Sequence, residues 1–129
     1  MKLFHGKGGL IAHLGTADAI EIEKRIKDGD KHAAIVYEAM ALNVAKDISK
    51  LAATVSGKVD RIILTGGIAY SEYVSNYIKE HVEFICPVEI MPGEFEMEAM
   101  AAGAIRVLKG EEELKEYTGR LVWDGFDFE

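Results

Sequence analysis

The chain has 129 residues, of which 49% are hydrophobic and 29% are charged, and its formal net charge is −7 at pH 7. This length suits one domain around a single core, and the composition is that of a globular protein rather than a disordered one. The acidic balance argues against a general binder of nucleic acid or anionic membranes, which would present a basic face. A bound nucleotide is compatible with this charge, because backbone N–H groups can hold phosphate.

The expected cellular setting follows from the cysteine count and the hydropathy. The single cysteine, Cys86, cannot form an internal disulfide, which fits a reducing cytoplasm. It precedes Pro87 in an apolar stretch, so we expect an inert buried thiol rather than a nucleophile. No signal-peptide pattern opens the chain, and no apolar run is long enough to span a bilayer. We therefore expect a cytoplasmic protein that does not contact a membrane.

Residues 1–15 form a glycine-rich N-terminal segment that includes Gly6-Lys7-Gly8-Gly9. This run lacks the preceding glycine and the following Ser or Thr of a Walker loop, so we interpret it as a flexible loop. Thr16 is placed to cap a helix over 17–27, and Asp30 is placed to cap the next helix.

The second helix is predicted over 31–55 and is rich in alanine. Its apolar residues recur at spacings of three and four, which predicts a buried stripe along the helix. The stripe consists of Val36, Met40, Val44, Ile48, Leu51 and Val55, widened by Ile35, Ala39, Leu42, Ala45 and Ala52. The alanines would allow a close approach to a sheet or to another helix.

Strands and helices alternate in the second half of the chain. Strands are predicted over 59–64 and 88–91, helices over 71–82 and 96–108, and a further turn or two over 111–117. The acidic, aromatic tail begins at residue 118, and residues 121–129 are expected to be an edge strand or a disordered end. A strand, a helix and a strand in succession predict a parallel pair. Because parallel sheets are normally larger and covered on both faces, so thin a sheet suggests a piece of something larger.

The glycine pair Gly66-Gly67 stands at the carboxyl end of the first strand, just before a helix. In open α/β sheets ligands collect at this edge, and glycine removes the Cβ that would block a ribose or a phosphate. The alternative is a tight turn that needs positive φ and holds no ligand. The pair is not a dinucleotide fingerprint, which requires Gly-x-Gly-x-x-Gly, so the residues alone leave both explanations open.

No other group of residues forms a catalytic constellation or a metal site. The four histidines show no metal-binding spacing, and there is no cysteine pair. Tyr70, Tyr73 and Tyr77 lie at helical spacing, which favours a core or interface stripe over base stacking. Glu94 begins a helical stretch near the predicted sheet edge, where an acid commonly stabilises the helix dipole.

Five stretches of the chain resemble the C-terminal part of butyrate kinase, which is grouped with acetate kinase among the actin-like ATPases. They are GKGGLIAHLG (6–15), KHAAIVYEAMALNVAKD (31–47), KVDRIILTGGIAYS (58–71), PVEIMPG (87–93) and EMEAMAAGAIRVLKGEEE (96–113). The likeness covers nearly the whole chain but only the last part of the family's chain. It implies a butyrate-kinase-like C-terminal α/β domain over 16–117, a partial ribonuclease-H-like fold with helices packed on a small, mainly parallel sheet.

The same resemblance implies an activity and a site. Family members transfer phosphate between ATP and a short carboxylate, which here implies butanoyl phosphate. The strand, glycine pair and helix resemble the family's adenosine motif. Carried over, Gly67 lies against the nucleotide, Gly66 and Ile68 shape the pocket, and Ser71 stands where acetate kinases carry an Asn. The implied cofactor is ATP or ADP with Mg²⁺, and the metal is held mainly through the nucleotide.

The family's two phosphate motifs are absent from this sequence. Residues 13–16 begin like the second of them, but their GKGG context matches a later segment of butyrate kinases. Phosphoryl transfer depends on groups that position and stabilise the phosphates, so no turnover by the chain alone is expected. The expected partners are an adenine nucleotide and either a second copy of the chain or the missing N-terminal portion of the kinase. The alternative is a non-catalytic interaction or oligomerisation module derived from the kinase fold.

Overall fold

The computed structural model describes residues 6–119. Its elements are α1 (Gly9–Leu14), α2 (Ala19–Lys27), α3 (Lys31–Thr54), β1 (Ile62–Gly66), a 3₁₀ turn (Gly67–Tyr70), α4 (Glu72–Val82), β2 (Val88–Pro92) and α5 (Glu96–Leu108). The chain divides into two compact units, 1–94 and 95–129, and α5 belongs to the second. Helices with a small parallel sheet confirm the predicted α/β class.

β1 and β2 form the predicted parallel pair, with Ile62 opposite Val88 and Leu64 opposite Ile90. Ile62, Leu64 and Val88 pack partly against the core, and along both strands half-buried residues alternate with exposed ones. On the opposite face, Ile63 is 56% exposed. β1 begins at Ile62 rather than at residue 59, because the residues before it are held in turn hydrogen bonds that follow α3.

The buried face of α3 differs from the predicted stripe. The buried residues are Ala33, Tyr37, Ala41 and Ala45. Of the predicted stripe, Ala45 is buried, and Met40 and Ile48 pack partly against the core. Val44, Leu51 and Val55 are exposed, as are Ile35 and Leu42. α3 packs on α4 along its alanines, because small side chains let two helices approach closely. The expected role of the alanines is therefore confirmed, but the buried face also contains Tyr37 and leaves most of the larger aliphatic residues exposed or half-buried.

Two aspartates cap the first long helices. α2 begins at Ala19 because Asp18 accepts hydrogen bonds from the N–H groups of Ile20 at 2.9 Å and Glu21 at 3.4 Å. Thr16 was wrongly predicted as this cap; it accepts instead from the N–H of Asp18 at 3.1 Å. Asp30 caps α3 as predicted, through the N–H of Ala33 at 2.9 Å.

The apolar part of the N-terminal segment, which follows the glycine run, forms a short helix. Gly9 begins the short helix α1, and Leu10 and Leu14 contact the core. Arg25 donates to the backbone carbonyl of Leu14 at 3.0 Å and to the Asp30 carboxylate at 2.8 Å and 3.0 Å. One side chain on α2 thereby links the end of α1 to the start of α3.

α5 has the predicted bounds, and Arg106 pairs with Glu112 at 2.9 Å just after it. The turns predicted over 111–117 form no regular helix. Residues 121–129, for which an edge strand or a disordered end was predicted, lie outside the described residues. Cys86 is buried, as expected. None of the helices in residues 6–119 has the length and apolar character needed to cross a membrane.

Candidate functional site

The backbone at the end of β1 has a conformation that requires glycine. Gly66 has φ 85° and ψ −178°, a region that residues with a Cβ enter only with strain. The strand turns there into the 3₁₀ turn Gly67–Tyr70. This geometry explains the first glycine of the pair without any ligand.

Gly67 needs a different explanation. Its φ lies outside the left-handed region, and a Cβ built on it would meet a single atom within 4 Å, Oε1 of Glu94 at 4.0 Å. Within the residues that the structure describes, neither the backbone nor the packing therefore requires glycine at this position. The bare Cα faces open space, which a ligand can approach closely.

Reciprocal backbone hydrogen bonds tie the ends of the two strands together. The N–H of Gly66 donates to the carbonyl of Gly93 at 3.2 Å, and the N–H of Gly93 donates to the carbonyl of Gly66 at 3.3 Å. Glu94 directly follows this link, which places its carboxylate beside Gly67. The carboxyl edge of the sheet therefore presents an open glycine with a hydrogen-bond acceptor next to it.

The middle of the turn presents apolar groups. Ile68 is 47% exposed and Tyr70 is 70% exposed, whereas Ala69 between them is buried. Ile68 is one of the residues that line an apolar groove of about 470 Å³, and Met40 and Val44 of α3 line it as well. Tyr70 thus differs from Tyr73 and Tyr77, which pack partly against the core.

Ser71 ends the turn and caps α4. Its hydroxyl accepts from the N–H of Val74 at 3.1 Å and donates to Oε1 of Glu23 at 2.5 Å. Because a serine hydroxyl has one proton to donate, that proton is already used within the chain. The side chain is buried, so Ser71 supports the end of the turn from the interior of the protein.

Two tyrosines surround this contact. The hydroxyl of Tyr37, a fully buried residue, lies 3.4 Å from Oε1 of Glu23. Tyr73 donates to Oε1 of Glu38 at 2.7 Å, and its ring centroid lies 5.8 Å from that of Tyr37. Burial raises the pKa of Tyr37, while the hydrogen bond to Glu38 and burial raise the pKa of Tyr73 to about 12. Both phenols are therefore neutral donors at physiological pH.

The histidines and acids of the described residues do not gather into a metal site. Among residues 6–119, no three His, Cys, Asp or Glu side chains are arranged to hold a metal ion. His81 stacks on Tyr77 with ring centroids 4.3 Å apart, and its Nδ1 lies 2.7 Å from the carbonyl of that residue.

The sequence model of the Acetokinase family matches residues 1–102 of this chain. The chain belongs to the acetokinase family. It is also 54% identical over 116 residues to a protein named probable butyrate kinase 2 from Caldanaerobacter subterraneus subsp. tengcongensis. This similarity covers 90% of the chain and 33% of the relative, so the chain spans about a third of the relative's length. The family resemblance inferred from the sequence is confirmed.

In this acetokinase-family chain, Gly66, Gly67 and Ile68 follow one another on a single turn, and Ser71 ends it. Sequence analysis did not find Glu23, because it lies 48 positions before Ser71 and no local spacing relates the two. Glu94 was singled out for its position at the sheet edge. It precedes α5, so the carboxylates in the first turn of that helix are Glu96 and Glu98 instead.

Proposed function

We propose that this chain forms the adenosine-binding part of a butyrate-kinase-like phosphotransferase. In this proposal Gly67 lies against the nucleotide, Gly66 and Ile68 shape the pocket, and Ser71 holds the end of the turn. The observation that supports it best is the open space at Gly67, where neither φ nor packing accounts for a glycine. Family membership and the name of the relative support the proposed reaction class, in which ATP and butanoate give ADP and butanoyl phosphate.

The chemistry of the turn suits an adenosine group. The exposed Ile68 side chain offers an apolar surface for a purine ring, and the bare Gly67 lets a ribose approach the backbone. Glu94 is placed to accept a hydrogen bond from a ribose hydroxyl, as acidic residues do in other nucleotide sites. Mg²⁺ would enter with the nucleotide phosphates and neutralise charge during phosphoryl transfer.

We further propose that the chain does not turn over by itself. Phosphoryl transfer depends on groups that position the phosphates, and the family's phosphate motifs are absent from this sequence. A partner that carries those motifs, equivalent to the rest of such a kinase, would complete the site. Self-association is the other partner arrangement, and a cytoplasmic location accords with the single cysteine.

Calorimetric titration with Mg-ADP and Mg-ATP tests the nucleotide site. The chain is compared with Gly67→Ala and Gly67→Val, which place one and three carbons in the open space. Because φ at Gly67 is ordinary and the nearest atom is 4.0 Å away, both variants should fold normally. Gly103→Val in α5 makes the same chemical change outside the turn and serves as the control.

Saturable binding that weakens from Gly67 to Ala to Val, and that Gly103→Val retains, would support the proposal. If the chain gives no heat up to millimolar nucleotide, it holds no adenosine site of its own. If Gly67→Val binds as tightly as the parent, the nucleotide lies elsewhere.

An interaction module is the second candidate function, and exposed apolar surface favours it. Ile63 stands on the open face of a parallel sheet, a kind of sheet normally covered on both sides. The groove along α3 and β1 adds a further apolar area. Sedimentation analysis separates the candidates. A module would assemble at micromolar concentration, would do so equally with Gly67→Val, and would not respond to nucleotide.

A further inference from the structure

The turn is held in place by a carboxylate from a distant part of the chain. Glu23, on α2, accepts a hydrogen bond of 2.5 Å from the hydroxyl of Ser71. This distance is at the short end for an O–H···O bond. The contact joins residues that are 48 positions apart in the chain. Through it, a polar side chain of α2 reaches the end of the turn.

Ser71 links this contact to α4 and to the end of the 3₁₀ turn. The same Oγ that donates to Glu23 accepts from the N–H of Val74, and the N–H of Ser71 donates to the carbonyl of Ile68 at 2.9 Å. Rotation of the Ser71 side chain would break the cap of α4, which begins directly after the 3₁₀ turn. The hydrogen bond from the Ser71 hydroxyl to Glu23 favours the side-chain rotamer that makes this cap.

Glu23 is itself held from a third helix. The hydroxyl of the fully buried Tyr37, on α3, lies 3.4 Å from the same Oε1. No buried side-chain nitrogen or oxygen in residues 6–119 lacks a hydrogen-bond partner, so the cluster is fully satisfied. Satisfied buried networks favour a single conformation of the elements that they join.

We infer that Glu23 is a positioning residue for the nucleotide turn, acting through the hydroxyl of Ser71. The inference rests on the proposed function for its effect on ligand binding, but not for its effect on the shape of the turn. Removal of the Glu23 carboxylate should loosen the turn and weaken adenine nucleotide binding about 10-fold, the loss of a hydrogen bond to a charged group.

Glu23→Ala removes the acceptor, and Glu23→Gln keeps an amide oxygen that can accept from Ser71. Glu21→Ala removes the same charge from an exposed position on the same helix and is the matched control. Ser71→Ala removes the other partner and provides an independent variant should Glu23→Ala fold poorly. The double variant Glu23→Ala/Ser71→Ala completes a mutant cycle, in which two changes to one contact are not additive.

Two readouts are recorded for each variant. Amide exchange and ¹H–¹⁵N chemical shifts of Gly67, Ile68, Ser71 and Val74 report the turn without ligand. Titration with Mg-ADP reports affinity. We expect Glu23→Ala and Ser71→Ala to shift these resonances and to speed amide exchange at Val74. Glu23→Gln should restore the parent shifts and exchange rate, and Glu21→Ala should leave both unchanged. The double variant should show no larger change than the single variants.

The two readouts separate the inference from the proposed function. If the parent chain does not bind Mg-ADP, the proposed function fails, and the turn resonances still decide the role of Glu23. If Glu23→Ala leaves those resonances and the exchange at Val74 unchanged, Glu23 does not position the turn. The inference is also overturned if Glu21→Ala has the same effect, because a general charge effect would then explain it, or if the parent binds Mg-ADP and Glu23→Ala matches its affinity.

Discussion

Gly66 and Gly93 donate to and accept from each other through their backbones, at 3.2 Å and 3.3 Å, where β1 and β2 end. The link sets the separation of the two loops that leave the carboxyl edge of the sheet. Glu94 follows one glycine and Gly67 follows the other, so a carboxylate and a bare Cα stand side by side. Any ligand at this edge meets both groups at once.

The two glycines of the pair should respond differently to alanine. Gly66→Ala forces a Cβ into φ 85°, so we expect it to lower the free energy of unfolding by about 1–3 kcal/mol. Gly67→Ala enters open space at ordinary φ and should change it by less than about 0.5 kcal/mol. Urea denaturation of both variants and the parent measures the difference. Equal losses would contradict the assignment of conformational need to Gly66 alone.

The alanine face of α3 should not tolerate larger residues. Ala45 is 3% exposed within the core, and Ala45→Leu should cost about 1–3 kcal/mol through overpacking against neighbouring side chains. Ala39→Leu places the same side chain on an exposed position of the same helix and is the matched control. Thermal unfolding followed by circular dichroism gives both values. A similar melting temperature for the two variants would show that the alanine face is not the tight contact.

Tyr73 should titrate late and should couple stability to alkaline pH. Its pKa is raised from the usual 10.0 to about 12, first by the hydrogen bond to Glu38 and then by burial. The folded state therefore binds the phenolic proton more tightly than the unfolded state does. The resulting stabilisation is fully present below pH 10 and is lost as the pH rises through about 12.

Ultraviolet titration of tyrosinate, together with denaturation curves between neutral and alkaline pH, measures this coupling. Tyr73→Phe should remove the late step of the titration and flatten the pH dependence of stability over this range. A late step that persists in Tyr73→Phe would assign it to another group and would contradict the prediction.

If the turn binds adenosine, Glu94 should distinguish ribose from deoxyribose. Its carboxylate lies beside Gly67 and can accept from a ribose hydroxyl. We expect the chain to bind Mg-ATP about 10-fold more tightly than Mg-2′-deoxy-ATP, and Glu94→Ala to remove this preference. Parallel calorimetric titrations of both nucleotides measure the ratio. Glu94→Ala that retains the ratio would show that another group contacts the hydroxyl.

Local features of the fold could be predicted from the sequence because short-range physics determines them. Asp30 caps α3, α5 has its expected bounds, and β1 pairs in parallel with β2. The caps depend on residues within three positions, and the strands depend on apolar runs closed by glycine or proline. The resemblance to butyrate kinases was likewise visible in contiguous motifs.

Other features depend on what each element packs against, which periodicity does not reveal. The larger aliphatic residues of α3 suggested one face, but the buried face consists of Tyr37 and three small residues, which form one core cluster with residues of α4. Ser71 was selected from its place in a motif, whereas its partner Glu23 is visible only once α2 has docked. The structure also gives different reasons for the two glycines of the pair, because of the two only Gly66 has a positive φ.

The contact between Glu23 and Ser71 has a consequence for transplanting this motif. The strand, glycine pair and helix of residues 62–82 look like a motif that could be transferred as one segment. The carboxylate that orients the end of the turn, however, belongs to Glu23, 48 positions before Ser71. A graft of residues 62–82 onto another sheet would keep the amino-acid sequence of the motif but would lack the Glu23 carboxylate that positions the turn. The smallest transferable piece therefore begins at α2, because it must include Glu23.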